Sequence, residues 1–216
     1  MEHLLVYGDS LTWGIIPGTR QRLAPERRWP LVLERELRQQ GRDVRVIEDC
    51  LNGRRTVWED PFKAGRNGLT GLEQRIEVNS PLALVVLMLG TNDFQSVHQN
   101  GAWQSSQGVA ALVRAVRRAP IEPGMPVPRI LVVAPPPIRT AAGEMTEKFA
   151  GGRERSVGVG EAFRRMAAEL ECAFFDAGEV VHVSALDGVH LDADQHDVLG
   201  RALAPAVASL LASHQA

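Results

Sequence analysis

Cysteine is scarce in this chain. Cys50 and Cys172 lie far apart and lack the short spacings of a metal site. That argues against a disulfide framework and leaves them as buried or idle thiols. A charge excess is missing too: the formal net charge is −2 and the isoelectric point about 6.3, so nothing electrostatic points to nucleic acid or an anionic membrane surface as partner. The longest apolar runs, such as Leu82 to Leu89, have the length of a strand and fall short of a bilayer span. Met1-Glu2-His3 leads directly into apolar residues, with neither a basic region nor a small-residue cleavage site, and the expectation is a soluble, cytoplasmic protein. There is no internal repeat and no low-complexity tract. With 216 residues, 44% of them hydrophobic, the chain is expected to form one domain, 1–216, around one well-filled core.

What is present is an alternation of short apolar runs with amphipathic ones. Leu4 to Tyr7, Val44 to Ile47, Leu82 to Leu89, Ile130 to Ala134 and Ala173 to Phe175 read as strands. Leu82 to Leu89 is the most apolar, as a central parallel strand covered on both faces should be. Helices are expected from Trp29 to Gly41, from Leu72 to Val78, around Val109 to Arg118, around Phe163 to Leu170, and along Leu199, Leu203, Val207 and Leu211. Pro135-Pro136-Pro137 stops the fourth strand. Residues 15–28 and 50–70 read as long loops, and 139–160, with Gly151-Gly152, as a mobile or interface segment. Strands alternating with helices predict right-handed crossovers and a parallel sheet between helical layers. The expected fold is a flavodoxin-like αβα sandwich with strand order 2-1-3-4-5, whose ligand crevice lies beyond the carboxyl ends of strands one and three.

Those two ends carry polar residues. Strand one runs into Gly8-Asp9-Ser10 and strand three into Gly90-Thr91-Asn92-Asp93. Gly8 allows a sharp exit, and Ser10 then opens a helix, where free N–H groups favour negative charge on a reacting oxygen. Taken alone, the same stretch is a helix cap. A serine hydroxyl is a poor nucleophile and needs a base, which in turn needs an orienting group. Six histidines compete for that role. His3, His196 and His214 read as surface residues, while His98 and His182 on loops remain candidates. His190 stands out because Asp187 precedes it by three residues across a glycine, so that a carboxylate could hold Nδ1 and leave Nε2 for Ser10. An ordinary Asp-Gly turn is the competing reading.

Four blocks, Gly8-Asp9-Ser10-Leu11, Leu51-Asn52-Gly53-Arg54, Gly90-Thr91-Asn92-Asp93 and Asp187-Gly188-Val189-His190, resemble in order those of the SGNH hydrolase superfamily, the GDSL-type esterases. Arg28-Trp29, Asp60-Pro61, Asn67-Gly68 and Phe175-Asp176-Ala177-Gly178 are similar to its small arylesterase and acyltransferase branch. The resemblance implies Ser10, Asp187 and His190 as catalytic triad, with the Ser10 and Gly53 N–H groups and the Asn92 amide as oxyanion hole. It implies an esterase of small aryl or short-acyl esters, with water or an alcohol as acceptor. It also implies a homo-oligomer whose loops 15–28 and 50–70 wall the entrance.

The chemistry requires no metal and no organic cofactor. Trp13 and Phe94 could wall the substrate pocket or simply fill core. Arg54 and Arg55 could greet a polar substrate but are expected as solvated loop charges, and Asp9 and Asp93 as structural hydrogen-bond partners beside tight turns. One departure is that Phe94-Gln95-Ser96 stands where the branch commonly has a lysine, which leaves acceptor preference open. The alternatives are a carbohydrate O-deacetylase with the same triad, a metal-dependent phosphohydrolase using the Asp and His residues, and a non-catalytic binding module.

Overall fold

The computed structural model describes residues 1–212, so His214 lies outside the described residues. Five strands, β1 (Glu2–Gly8), β2 (Val44–Cys50), β3 (Leu84–Met88), β4 (Arg129–Ala134) and β5 (Ala173–Asp176), form one parallel sheet in the order β2-β1-β3-β4-β5. The order and the parallel pairing are those expected. Leu4 pairs with Val46 on one side and Leu84 on the other, and the register brings Gly8 level with Cys50 and Met88 at one edge of the sheet.

Side chains alternate across a strand, so one sheet feeds two cores. Leu5, Tyr7, Val85, Leu87 and Val132 pack on α3 (Leu72–Asn79), α4 (Ala102–Arg118) and α7 (Val159–Glu169). Leu4, Val6, Val86, Met88 and Val133 face α1 (Ser10–Trp13), α2 (Trp29–Gln39) and α8 (Ala193–Ala212). The central strand β3 is buried along its whole length.

Helix α2 begins without a side-chain cap of its own. A missing cap costs about 1 kcal/mol. Burial of Trp29, Leu33 and Leu37, all at 0% exposure, contributes about 1.5–3 kcal/mol apiece and outweighs it. The Trp29 N–H at that first turn donates instead to Nδ1 of His196, 3.3 Å away on α8. His196 was expected at the surface; it is fully buried, and burial, helped by Arg28 and His190, pulls its pKa down to about 3. A neutral imidazole is what an acceptor at that position requires.

Of the two readings of residues 139–160, mobile or interface, the first needs correction. The segment holds α5 (Met145–Lys148) and α6 (Gly152–Arg155) and is pinned by Met145 and Phe149, whose spacing of four residues turns both into the core. Its backbone is tied to the neighbouring loop, where the Arg139 N–H donates to the Gly188 carbonyl and the Ala142 N–H to that of Asp187. Cys50 and Cys172 are free thiols. Among the described residues no helix is long and apolar enough to cross a membrane.

Candidate active site

Two strand ends and one loop converge here. Gly8 ends β1, and a Cβ at that position would lie 2.4 Å from Thr12 Oγ1, so only glycine lets the chain turn this tightly into α1. Asp9 caps α1 through Oδ1, which accepts from the Leu11 N–H at 2.9 Å. Ser10 is the first residue of that helix, and a first-turn N–H has no partner within its helix.

The loop between β5 and α8 closes on itself: the Ser184 N–H donates to the His190 carbonyl at 2.7 Å and the Gly188 N–H to the Ser184 carbonyl at 2.9 Å. Within it Asp187 Oδ1 accepts from the N–H groups of Val189 and His190, each at 2.9 Å, and Oδ2 lies 2.7 Å from His190 Nδ1. Burial alone would raise the Asp187 pKa, but the bonds from the imidazole and the two backbone N–H groups hold it down at about 2. An ionised carboxylate only accepts, so Nδ1 carries the proton and Nε2 has its lone pair free. That nitrogen is 3.1 Å from Ser10 Oγ. Ser10, Asp187 and His190 are each about nineteen-twentieths buried, at 5%, 6% and 5% exposure. Among the other histidines, His98 bonds to the Glu59 carbonyl and His182 is exposed.

Gly53 has φ +82°, a left-handed conformation that glycine adopts freely. Asn92, in the short 3-10 turn Thr91–Phe94 after β3, lines the same cleft as Ser10, Gly53 and His190. Both of its amide hydrogens have partners here: Nδ2 donates to Asp9 Oδ2 at 3.0 Å and to the Arg54 carbonyl at 3.2 Å. Its Oδ1 accepts from Gln95 Nε2 at 2.7 Å, and Arg55 in turn donates to Gln95 Oε1, which fixes the orientation of the amide. Gln95, at the departure from the branch pattern, is thus a brace for Asn92.

The structural roles expected of Asp9 and Asp93 appear in their bonds. Asp93 accepts from the Thr56 N–H and hydroxyl and from Ser105. Burial raises Asp9 to about 6 and Asp93 to about 7.

Four expectations need correction. Phe94 does not wall the cleft; it is 1% exposed and belongs to the core on the α4 side of the sheet. Trp13 does not line it either, and Arg22 sits over its ring at 4.7 Å. Arg54 and Arg55 are buried rather than solvated. Arg54 pairs with Asp49 at 2.7 Å, donates to the Gly8 carbonyl and stacks on Tyr7, while Arg55 pairs with Asp60 at 2.8 Å. A charge without water needs such partners.

The walls come instead from Ile15, Asn52, Met145 and Phe149, with Arg20, Lys63 and Lys148 at the rim. The cleft has a free interior of about 50 Å³. A second cavity of about 400 Å³ adjoins it, sharing Arg20, Met145 and His190. Among the described residues no group of three or more His, Cys, Asp or Glu side chains is placed to hold a metal ion.

A parallel αβα sandwich with a serine, an imidazole and a carboxylate in line at its carboxyl edge defines the class of α/β serine hydrolases. The chain belongs to the GDSL-like lipase/acylhydrolase family, whose model matches residues 6–198, and is a carboxylic ester hydrolase. A carbohydrate acetylesterase family member from Sinorhizobium meliloti is 40% identical, with a TM-score of 0.92 over 98% of this chain and 100% of that one. A putative arylesterase from Agrobacterium tumefaciens is 43% identical, with a TM-score of 0.88 over 97% and 100%. The aryl esterase of M. smegmatis is 34% identical, with a TM-score of 0.91 over 97% and 100%. The search of curated proteins found no match.

Proposed function

We propose that this enzyme hydrolyses small aryl or short-chain acyl esters of the acetyl type through an acyl-enzyme on Ser10, with water or an alcohol as acceptor. The observation that carries the reading is the 3.1 Å approach of His190 Nε2 to Ser10 Oγ while Nδ1 is engaged by an ionised Asp187. Ser10 Oγ attacks the carbonyl carbon as its proton passes to Nε2. The tetrahedral oxyanion is met by the N–H groups of Ser10 and Gly53 and by the Asn92 amide, whose hydrogen on the longer 3.2 Å bond is shared between the Arg54 carbonyl and the oxyanion while Asp9 keeps the other. His190 returns the proton to the departing alcohol. Water or another alcohol then repeats the sequence on the acyl-enzyme.

Two observations support the choice of ester. The interior of about 50 Å³ beside the nucleophile suits an acetyl-sized group, and the adjoining 400 Å³ leaves a bulkier alcohol portion unconstrained. The same wide cavity, together with the S. meliloti acetylesterase relative, favours a carbohydrate O-deacetylase as the second reading. A panel of phenyl acetate, butanoate and octanoate beside acetylated monosaccharides separates them. The expected result is that kcat/KM falls at least tenfold from acetate to octanoate. Acetylated sugars outpacing phenyl acetate would hand the function to the second reading, and no turnover of any ester would end both.

Asn92→Ala is expected to lower kcat by about 10²–10³ with little change in KM, as the loss of one oxyanion donor does. Steady-state kinetics on phenyl acetate measure it. An equal rise in KM at constant kcat would mean that Asn92 binds the ground state and the transition state alike.

A further inference from the structure

Two lysines stand among the 24 basic side chains of this protein, and the rest are arginine. Both of them, Lys63 and Lys148, line the cleft that holds Ser10, and Arg20 joins them there. The three cations come from separate segments: the loop after α1, the loop after β2 and the end of α5. Among the described residues, Asp60 is the one carboxylate lining that cleft. It is already committed to Arg55 at 2.8 Å and to the Phe62 N–H at 2.9 Å. Glu144 stands 4.0 Å from Arg20, with 78% of its side chain exposed, and screens it little. Neither Lys63 nor Lys148 has an acidic partner within 4.0 Å among the described residues; the Lys148 ammonium lies 5.9 Å from the centre of the Phe149 ring.

Like charges gathered with too few counterions repel, and an anion brought among them relieves that repulsion. Burial lowers the Lys148 pKa, and Arg55, Arg20 and Lys63 add to the effect against the opposing pull of Asp60, so these groups sense one another. Lysine suits an open rim because its compact charge rides on a flexible stem, whereas arginine suits the fixed buried pairs seen at Arg54 and Arg55.

We propose that Lys63, Lys148 and Arg20 form a receptor for an anionic group, a carboxylate or similar, carried by the ester that Ser10 attacks. The inference rests on the esterase reading and narrows its substrate to charged esters. The carboxylate can sit on either side of the scissile bond, and two probe pairs locate it. For the alcohol side, 4-acetoxybenzoate is compared with 4-acetoxybenzamide; for the acyl side, phenyl hemisuccinate with phenyl butanoate.

The readout is the ratio of kcat/KM for charged over neutral ester, in the wild type against the Lys63→Met/Lys148→Met double variant, since dividing the two ratios cancels intrinsic reactivity. The expected result is a drop of roughly fivefold to tenfold in that ratio for at least one pair, shrinking as salt is added. Arg114→Met, which removes an exposed cation on α4, should leave the ratio as it is. Equal ratios in wild type and double variant for both pairs, or an equal drop with Arg114→Met, would overturn the proposal. If phenyl acetate is hydrolysed while the ratios do not move, only this inference falls. If no ester is hydrolysed, the esterase reading falls with it.

Discussion

Ser10→Ala lowers kcat for phenyl acetate by about 10⁵–10⁶, a loss of the size seen when a serine nucleophile is deleted from a working triad. The expectation follows from the surroundings of His190. Its Nε2 has one hydroxyl within reach, that of Ser10 at 3.1 Å. The other buried serines are engaged elsewhere: Ser105 donates to Asp93, Ser106 to the Trp103 carbonyl and Ser156 to the Arg153 carbonyl, while Ser184 Oγ accepts from the Leu186 N–H. The substitution spares the fold, because alanine is at least as good a helix former as serine and the cap is made by Asp9. The melting temperature should therefore stay within a few degrees while turnover vanishes. A serine-directed phosphonate should label the wild type at Ser10 and leave the variant unmodified. Labelling of the variant at another serine would move the nucleophile.

The parts of this molecule that could be read from sequence are those governed by local rules. Strand β3 announced itself as an unbroken apolar run, β4 by the prolines that end it, and α2 by leucines at helical spacing, because burial and backbone chemistry act within a few residues. The candidate site was legible through Ser10, Asn92 and the Asp187-His190 pair for a similar reason: each sits where the topology delivers it to one edge of the sheet. What sequence could not reveal is the direction of a side chain. Phe94 follows Asn92 by two residues, yet the 3-10 turn aims it into the core and not the cleft.

Arg55 looked like a loop charge because its partners, Asp60 and Gln95, reach it only after the loop folds against the turn following β3. His196 looked exposed because the N–H it accepts from belongs to Trp29, 167 residues away in the chain. The same limit hid the third wall of the cleft. Met145 and Phe149 carry an apolar pair at helical spacing, a signal for burial, but nothing local says which cavity their segment borders.

Asp187→Asn lowers kcat by about 10⁴ while leaving the arrangement of atoms almost unchanged. The amide oxygen can still accept from the Val189 and His190 N–H groups, as Oδ1 does now, so the loop keeps its shape. The amide nitrogen then faces His190 Nδ1 and donates to it. Nδ1 must become the acceptor, the ring proton moves to Nε2, and a nitrogen that already bears hydrogen cannot take one from Ser10. The loss is thus one of tautomer and not of position. A pH profile distinguishes the two: with its carboxyl held at about 2, the wild type should show no activity limb from Asp187 anywhere above about pH 4. The variant should regain rate as hydroxide increasingly substitutes for the missing base. Asp187→Ala adds a second loss, since it also leaves two backbone N–H groups without their acceptor, at about 1–3 kcal/mol for each one buried. It should melt measurably below Asp187→Asn. A variant Asp187→Asn that keeps wild-type kcat would mean that His190 is oriented by something other than this carboxylate.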